Sequence, residues 1–146
     1  MNGLVDKFLI DKNRFNGTVM VTGAGGCIGA WVVAILTSSE VPVVALDLSE
    51  DRRRAALLMG EDGAGALDWV ATDITDFSAL KAVAERYDAK AIIHLAGLQV
   101  PFCAASPALG ARVNVEGTIN ILQLAREMGI KRTCLLYTSP SPRDAT

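Results

Sequence analysis

Thr18-Val19-Met20-Val21-Thr22-Gly23-Ala24-Gly25-Gly26-Cys27-Ile28-Gly29 is the stretch that decides the fold. A β-branched, apolar run enters a cluster of glycines, and the apolar spacing beyond it turns helical. Gly23, Gly26 and Gly29 fit the pattern G-x-x-G-x-x-G, whereas G-x-G-x-x-G would need glycine at 28, where Ile28 stands. The first glycine of such a turn permits a tight bend off the strand, and the second lets the backbone approach a pyrophosphate. The third lets helix and strand pack closely. The free N–H groups of Cys27 and Ile28, at the start of the helix, would then face anionic phosphates. A glycine-rich turn that binds nothing is the competing reading, and the placement between strand and helix weighs against it.

Outward from this turn, apolar runs alternate with helical patterns. Strands are expected over 18–22, 41–46, 68–71, 91–95 and 130 to about 137. Helices are expected over 27–36, 50–59 and 77–87, the last capped by Asp76. A long helix is expected from Pro107, with Ser106 as its N-cap, to Met128, where Gly129 stops it. Strands that are apolar throughout, joined by helices, pair in parallel with both faces covered. The expectation is an α/β fold, a doubly wound parallel sheet of the Rossmann type with strand order 3-2-1-4-5.

Composition narrows the partners. The 146 residues include 14 Lys+Arg, 16 Asp+Glu and 51% apolar residues, for a net charge of −2. No basic stripe stands out, so nucleic acid is not expected as a partner. No run of ~20 apolar residues exists, so no membrane span is expected, and the charged N-terminus does not read as a signal peptide. Cys27, Cys103 and Cys134 form an odd set without a C-x-x-C spacing, which supports neither a disulfide framework nor a zinc site. A cytoplasmic protein is expected.

Asp47 ends Val43-Val44-Ala45-Leu46-Asp47 and stands 24 residues after Gly23. That is close to the ~20-residue offset at which an acid accepts hydrogen bonds from ribose hydroxyls, and an acid there repels a 2′-phosphate. NAD is therefore expected over NADP. Asp47 as a charge at a helix N-terminus is the alternative. Arg52, Arg53 and Arg54 lie nearby, a basic cluster that could accommodate a phosphate, but five or more residues past the strand end they are expected on a solvated helix face.

Five ordered features resemble the extended short-chain dehydrogenase/reductase family, the NAD-dependent epimerases and dehydratases. They are Thr22-Gly23-x-x-Gly26-x-x-Gly29, Asp47, Asp73-Ile74, His94-Leu95-Ala96-Gly97 and Asn114-Val115-Glu116-Gly117-Thr118, and they span about residues 18–132. The classical branch of the superfamily would carry glycine at 27, where this chain has Cys27. The resemblance implies that Asp73 accepts a hydrogen bond from the adenine amino group and that Ile74 packs on the ring. Turn chemistry is the plainer role for Asp73. The resemblance also places Leu95, Ala96 and Gly97 along the cofactor, the small residues letting ribose and phosphate approach the backbone. Asn114 falls roughly 200° from Arg112 at about 100° per residue, and so is expected to point inward. The resemblance implies a role beside the cofactor, and a strand carbonyl is the alternative partner. His94 is expected as a packed, hydrogen-bonded core residue.

The family's Tyr-x-x-x-Lys pair is not found. Tyr87 is followed four residues on by Ala91, and Tyr137 by Ser141. No catalytic residue is assigned, and the chain reads as an N-terminal fragment over 1–133, the NAD-binding part of an enzyme acting on a sugar or nucleotide-sugar. A non-catalytic NAD(P)-sensing regulator on the same fold is the alternative. Family members often dimerise through two helices per subunit, and the helix from Pro107 could supply one. From Cys134 the sequence Cys134-Leu135-Leu136-Tyr137-Thr138-Ser139-Pro140-Ser141-Pro142-Arg143-Asp144 is similar to an in-frame translation of a sequencing-library adapter. Residues 134–146 are expected to be a non-native tail.

Overall fold

A computed structural model of the chain describes residues 3–136. Five parallel strands form one sheet in the order β3-β2-β1-β4-β5. They are β1 (Thr18–Thr22), β2 (Val43–Asp47), β3 (Asp68–Ala71), β4 (Ala89–His94) and β5 (Arg132–Leu135). β1 pairs with β2 from Val19↔Val43 and with β4 from Val19↔Ala91, so the chain turns to opposite sides of β1 as it grows. In an open α/β sheet such a switch point leaves a crevice at the carboxyl ends of the strands.

Alternation along the strands supplies both layers of core. Val19, Val21, Ala45 and Trp69 face one side, where Val33 and Leu36 of α1 (Cys27–Ser38) meet them. Met20, Val44, Leu46 and Ile92 face the other, against Leu80 of α3 (Phe77–Arg86) and Ile121 and Leu124 of α6 (Gly117–Glu127). Each fully buried side chain of this size stabilises the fold by about 1.5–3 kcal/mol. α2 (Arg53–Gly65) packs beside α1. It starts later and ends later than expected, and it kinks at Gly60, where φ is 77°.

Before β1 come two short 3-10 turns (Val5–Phe8 and Lys12–Arg14), the first of which lies against α1. Val5 is buried, Phe8 meets Trp31 edge to face at 6.1 Å, and the Ile10 N–H donates to Ser39 Oγ at 3.0 Å.

The stretch after β4 departs most from expectation. A further helix, α4 (Val100–Ala105), fills what reads in sequence as a loop, and Pro101 in its first turn is a start signal of the usual kind. The long helix is three pieces: α5 (Pro107–Ala111), a π-helical turn over Arg112–Glu116, and α6. Ser106 precedes it without a side-chain cap bond, while Asp76 caps α3 by accepting from the Ala79 N–H at 3.0 Å. β5 is shorter than expected. The proposed tail falls largely on residues 137–146, outside the described residues, while Arg132–Leu135 pairs with β4. No helix among the described residues is long and apolar enough to cross a membrane.

The tightest constraint lies where α1 leaves the glycine turn. A Cβ on Gly29 would stand 2.0 Å from the Gly23 carbonyl oxygen, which is backbone and cannot rotate aside. Gly29→Ala is therefore expected to lower unfolding stability by ~3 kcal/mol or more in urea titrations. Gly65→Ala, where a Cβ meets nothing within 4 Å, should leave it unchanged or raise it by up to about 1 kcal/mol.

Candidate functional site

A cleft of about 470 Å³ opens along the carboxyl edge of the sheet, at the switch point between β1 and β4. Its size falls within the ~300–1,000 Å³ of small-molecule sites. Gly23, Gly25 and Gly26 form one wall, and Gly23 turns there with φ +74°. A Cβ on Gly23 would meet the Ala96 backbone N at 2.6 Å, so the glycine turn and the end of β4 touch through main chain alone.

Asp47 stands at the end of β2. Its Oδ2 accepts from the Gly25 N–H at 2.9 Å and its Oδ1 from the Leu48 N–H at 2.8 Å. Two backbone donors thus keep the carboxylate aimed at the glycine turn. Asp73 and Ile74 follow β3 into the same cleft. Asp73 Oδ1 accepts from the Thr75 N–H at 2.8 Å and from its hydroxyl at 2.9 Å, an Asx turn that leaves Oδ2 open. Ile74 is buried beneath it. Leu95, Ala96 and Gly97 line the cleft beyond β4.

Four of the residues singled out in sequence do not line this cleft. Cys27 and Ile28 are exposed in the first turn of α1, and Gly29 is buried behind them. Asn114 is not turned inward. It is exposed, and its side chain grips Leu98, accepting from the Leu98 N–H at 2.7 Å and donating to the Leu98 carbonyl at 2.9 Å. The segment after Gly97 runs close enough to this part of the π-helical turn for its backbone to take up the amide. Asn114 therefore holds the segment that follows Gly97, with a loop backbone as its partner instead of a strand carbonyl.

The arginine run is corrected in part. Arg53 and Arg54 are exposed as expected and Arg52 is half-buried; Arg53 pairs with Asp51, and its guanidinium holds that carboxyl well below the usual carboxylate range. Arg52 donates to the carbonyls of Ala64, Gly65 and Leu67 at 2.7–3.1 Å and lies over the Trp69 ring, closing the end of α2. Arg54 reaches the cleft and donates to the Gly25 carbonyl at 2.8 Å. Leu48, Ser49, Thr72, Leu98 and Leu109 also line the cleft and carry no motif in sequence.

Behind Ala96 lies a buried polar relay. The Thr118 hydroxyl donates to the Asn114 carbonyl at 2.8 Å, so toward His94 Nε2, 3.3 Å away, it can only accept. His94 is therefore the neutral Nε2–H tautomer, and its Nδ1 accepts from the Thr22 hydroxyl at 2.7 Å. Burial pushes the imidazole down to about 4. This histidine ties β1, β4 and the start of α6 together and does not face the cleft.

A sequence profile of the NAD dependent epimerase/dehydratase family matches residues 19–141. The chain is 32% identical over 128 residues to UDP-glucuronate 4-epimerase of Thermodesulfobacterium geofontis, covering 84% of this chain and 40% of that protein. UDP-glucose 4-epimerase of Homo sapiens is 33% identical over 133 residues, covering 83% of this chain and 36% of that protein. Among solved structures, the Bifidobacterium longum UDP-glucose 4-epimerase in complex with NAD+ and UDP is similar with a TM-score of 0.72. At 23% identity, over 84% of this chain and 37% of that one, the likeness is one of fold. The L-threonine dehydrogenase of Clostridium difficile is similar with a TM-score of 0.67 at 28% identity, over 80% of this chain and 35% of that one. The chain thus spans about two fifths or less of the length of these curated relatives.

The His94 relay carries its own pH signature. The folded imidazole titrates near 4 against 6.5 for the free side chain, so the unfolded chain binds more protons between those values. Its contribution is complete above pH 6.5 and is lost as pH falls from there through about 4, on the order of 3 kcal/mol in all. Urea titrations of the wild type and His94→Gln from pH 7 to 4 should converge by that amount. Parallel profiles would contradict the assignment.

Proposed function

The chain belongs to the NAD-dependent epimerase/dehydratase family, and from that membership we propose that it is the NAD-binding part of an oxidoreductase-type enzyme acting on a nucleotide-sugar. The observation that carries the reading is one cleft holding the glycine-turn backbone, the Asp47 carboxylate, and Asp73 with Ile74. A dinucleotide needs these chemistries in this order. Gly25 and Gly26 bring unhindered main chain to the pyrophosphate, and Asp47 accepts from the adenosine ribose hydroxyls. Asp73 offers its open Oδ2 to the adenine amino group, and buried Ile74 supplies an apolar floor for the ring. At the other end, Ala96 and Gly97 keep the wall low enough for the second ribose.

When bound, NAD supplies hydride transfer at a carbinol or carbonyl carbon. This chain's residues bind and orient it, and no catalytic acid or base is assigned among them. The nucleotide-sugar class is supported by the relatives, two of them UDP-sugar 4-epimerases by name. The proposal extends to a homodimer of the complete protein, supported by Val115, Ile119 and Leu122, each more than half exposed on one helical stretch.

Equilibrium titration tests the reading. NAD should bind the chain saturably and more tightly than NADP, and Asp47→Ala should weaken NAD by about 10–100-fold, the range of charge-assisted hydrogen bonds. Tighter NADP than NAD binding by the wild type, or an Asp47→Ala variant that binds NAD unchanged, would overturn it. In the complete protein, turnover of a UDP-sugar with NAD tests the substrate class.

A further inference from the structure

A second cavity, of about 270 Å³, opens at the amino edge of the sheet, at the other end of the strands from the glycine-turn cleft. Three segments far apart in the chain meet there: residues 14–17 before β1, Lys90 and Ala91 in β4, and Lys131 with Arg132 at the start of β5. Four of the lining residues are cationic and none is acidic, in a chain whose net charge is −2. Two of the cations are held in place. The Arg132 guanidinium lies over the Phe15 ring, 5.3 Å from its centroid, and its Nη1 donates to the Arg14 carbonyl. The Lys90 stem lies against Gly17, where φ is +138° and a Cβ would stand 2.7 Å from Lys90 Cγ. Lys90 pairs with Asp88 at 2.6 Å, but among the described residues no ion pair reaches Arg14, Lys131 or Arg132.

We propose that this cavity binds a small phosphate-bearing anion, a free oxyanion or the phosphate group of a small ester, held by Arg14, Lys131 and Arg132. Three cations that converge without a counter-charge repel one another, and an anion among them turns that repulsion into attraction. Arg132 spends one of its five N–H donors on the Arg14 carbonyl and keeps the rest in the planar fork that matches phosphate oxygens. Stacking on Phe15 sets the plane of that fork before a ligand arrives, which lowers the ordering cost of binding. Lys131 adds a point charge on the same rim. The cavity has just over half the volume of the glycine-turn cleft, and its aromatic ring is already taken by Arg132, so a nucleotide base has no face to stack on. The ligand is therefore small and highly charged. The site shares no residue with the glycine-turn cleft and does not rest on the dinucleotide reading. Arg14 and Arg132 stand 118 positions apart, so the cluster exists only in the folded chain.

The test titrates the full chain calorimetrically with inorganic phosphate, pyrophosphate and glucose 6-phosphate at constant ionic strength, with and without excess NAD. The variants are Arg14→Met and Lys131→Met. Lys7→Met is the charge-matched control, since Lys7 is exposed on the first 3-10 turn and lies outside the cavity. Thermal melts confirm that each is folded. At least one of the three anions should bind the wild type saturably. Tightest binding by phosphate or pyrophosphate identifies a free oxyanion, and tightest binding by glucose 6-phosphate identifies an ester. Each cavity variant should weaken that binding about 5–30-fold, the range of a charge-assisted contact open to solvent, while Lys7→Met and NAD leave it unchanged. An anion displaced by NAD and indifferent to Arg14 and Lys131 sits in the glycine turn, and that result overturns the proposal. Equal losses in Lys7→Met overturn it too, because net charge alone would then explain the binding. So does the absence of saturable binding by all three anions at millimolar concentration.

Discussion

The arrangement depends on a main-chain contact at the start of α1, where Gly29 lies so close to the Gly23 carbonyl that no side chain fits between them. That contact sets how near the first helix stands to the end of β1. From it follows the approach of Gly23 to Ala96, which is also backbone against backbone. The cleft is then walled on two sides by peptide groups, and its polar character comes from N–H and C=O groups that need no side chain to present them. Asp47 fits into this frame by accepting from Gly25, so the acid and the turn position each other.

A second tie lies one layer deeper. Thr22, His94 and Thr118 form a directed chain of hydrogen bonds between the ends of β1 and β4 and the helix beyond. A buried imidazole costs free energy unless both nitrogens are satisfied, and here each has a hydroxyl partner. The Thr118 hydroxyl bonds back to the Asn114 carbonyl within the wider π-helical turn. Asn114 in turn clamps Leu98 at the mouth of the cleft. The loop after β4 is therefore fixed from behind by a network whose members are scattered through the sequence.

Membership of the epimerase/dehydratase family gives this geometry its context. Three arginines in a row look equivalent, yet one closes a helix, one pairs with a neighbouring acid, and one reaches the glycine turn. Their division of labour is set by which carbonyls and carboxylates the fold brings within reach.

The parallel pairing and the layering were legible from local patterning, and the sheet order from the doubly wound fold which that patterning implies. Apolar strand runs such as Val43–Asp47 need cover on both faces, and glycines at 23 and 29 need a tight turn and a close helix. Asp76 as a cap and Gly129 as a stop, with φ +66°, were legible for the same reason, because each acts on its own neighbours in the chain. Asp47, Asp73, Ile74 and Ala96 line one cleft, as their places at the strand ends imply, since strand ends are where a strand-by-strand reading is sharpest. The orientation of Asn114, the three separate fates of Arg52, Arg53 and Arg54, and the lining by Leu98 were not legible. Arg53 pairs with Asp51 two residues away, but Asn114, Arg52, Arg54 and Leu98 each turn on a partner 12 or more positions off in the chain. Sequence by itself determined which backbone shapes were permitted, because steric limits on glycine and hydrophobic periodicity act locally. Tertiary structure alone decided which charged and polar side chains meet, because hydrogen bonds and ion pairs are chosen by distance in space.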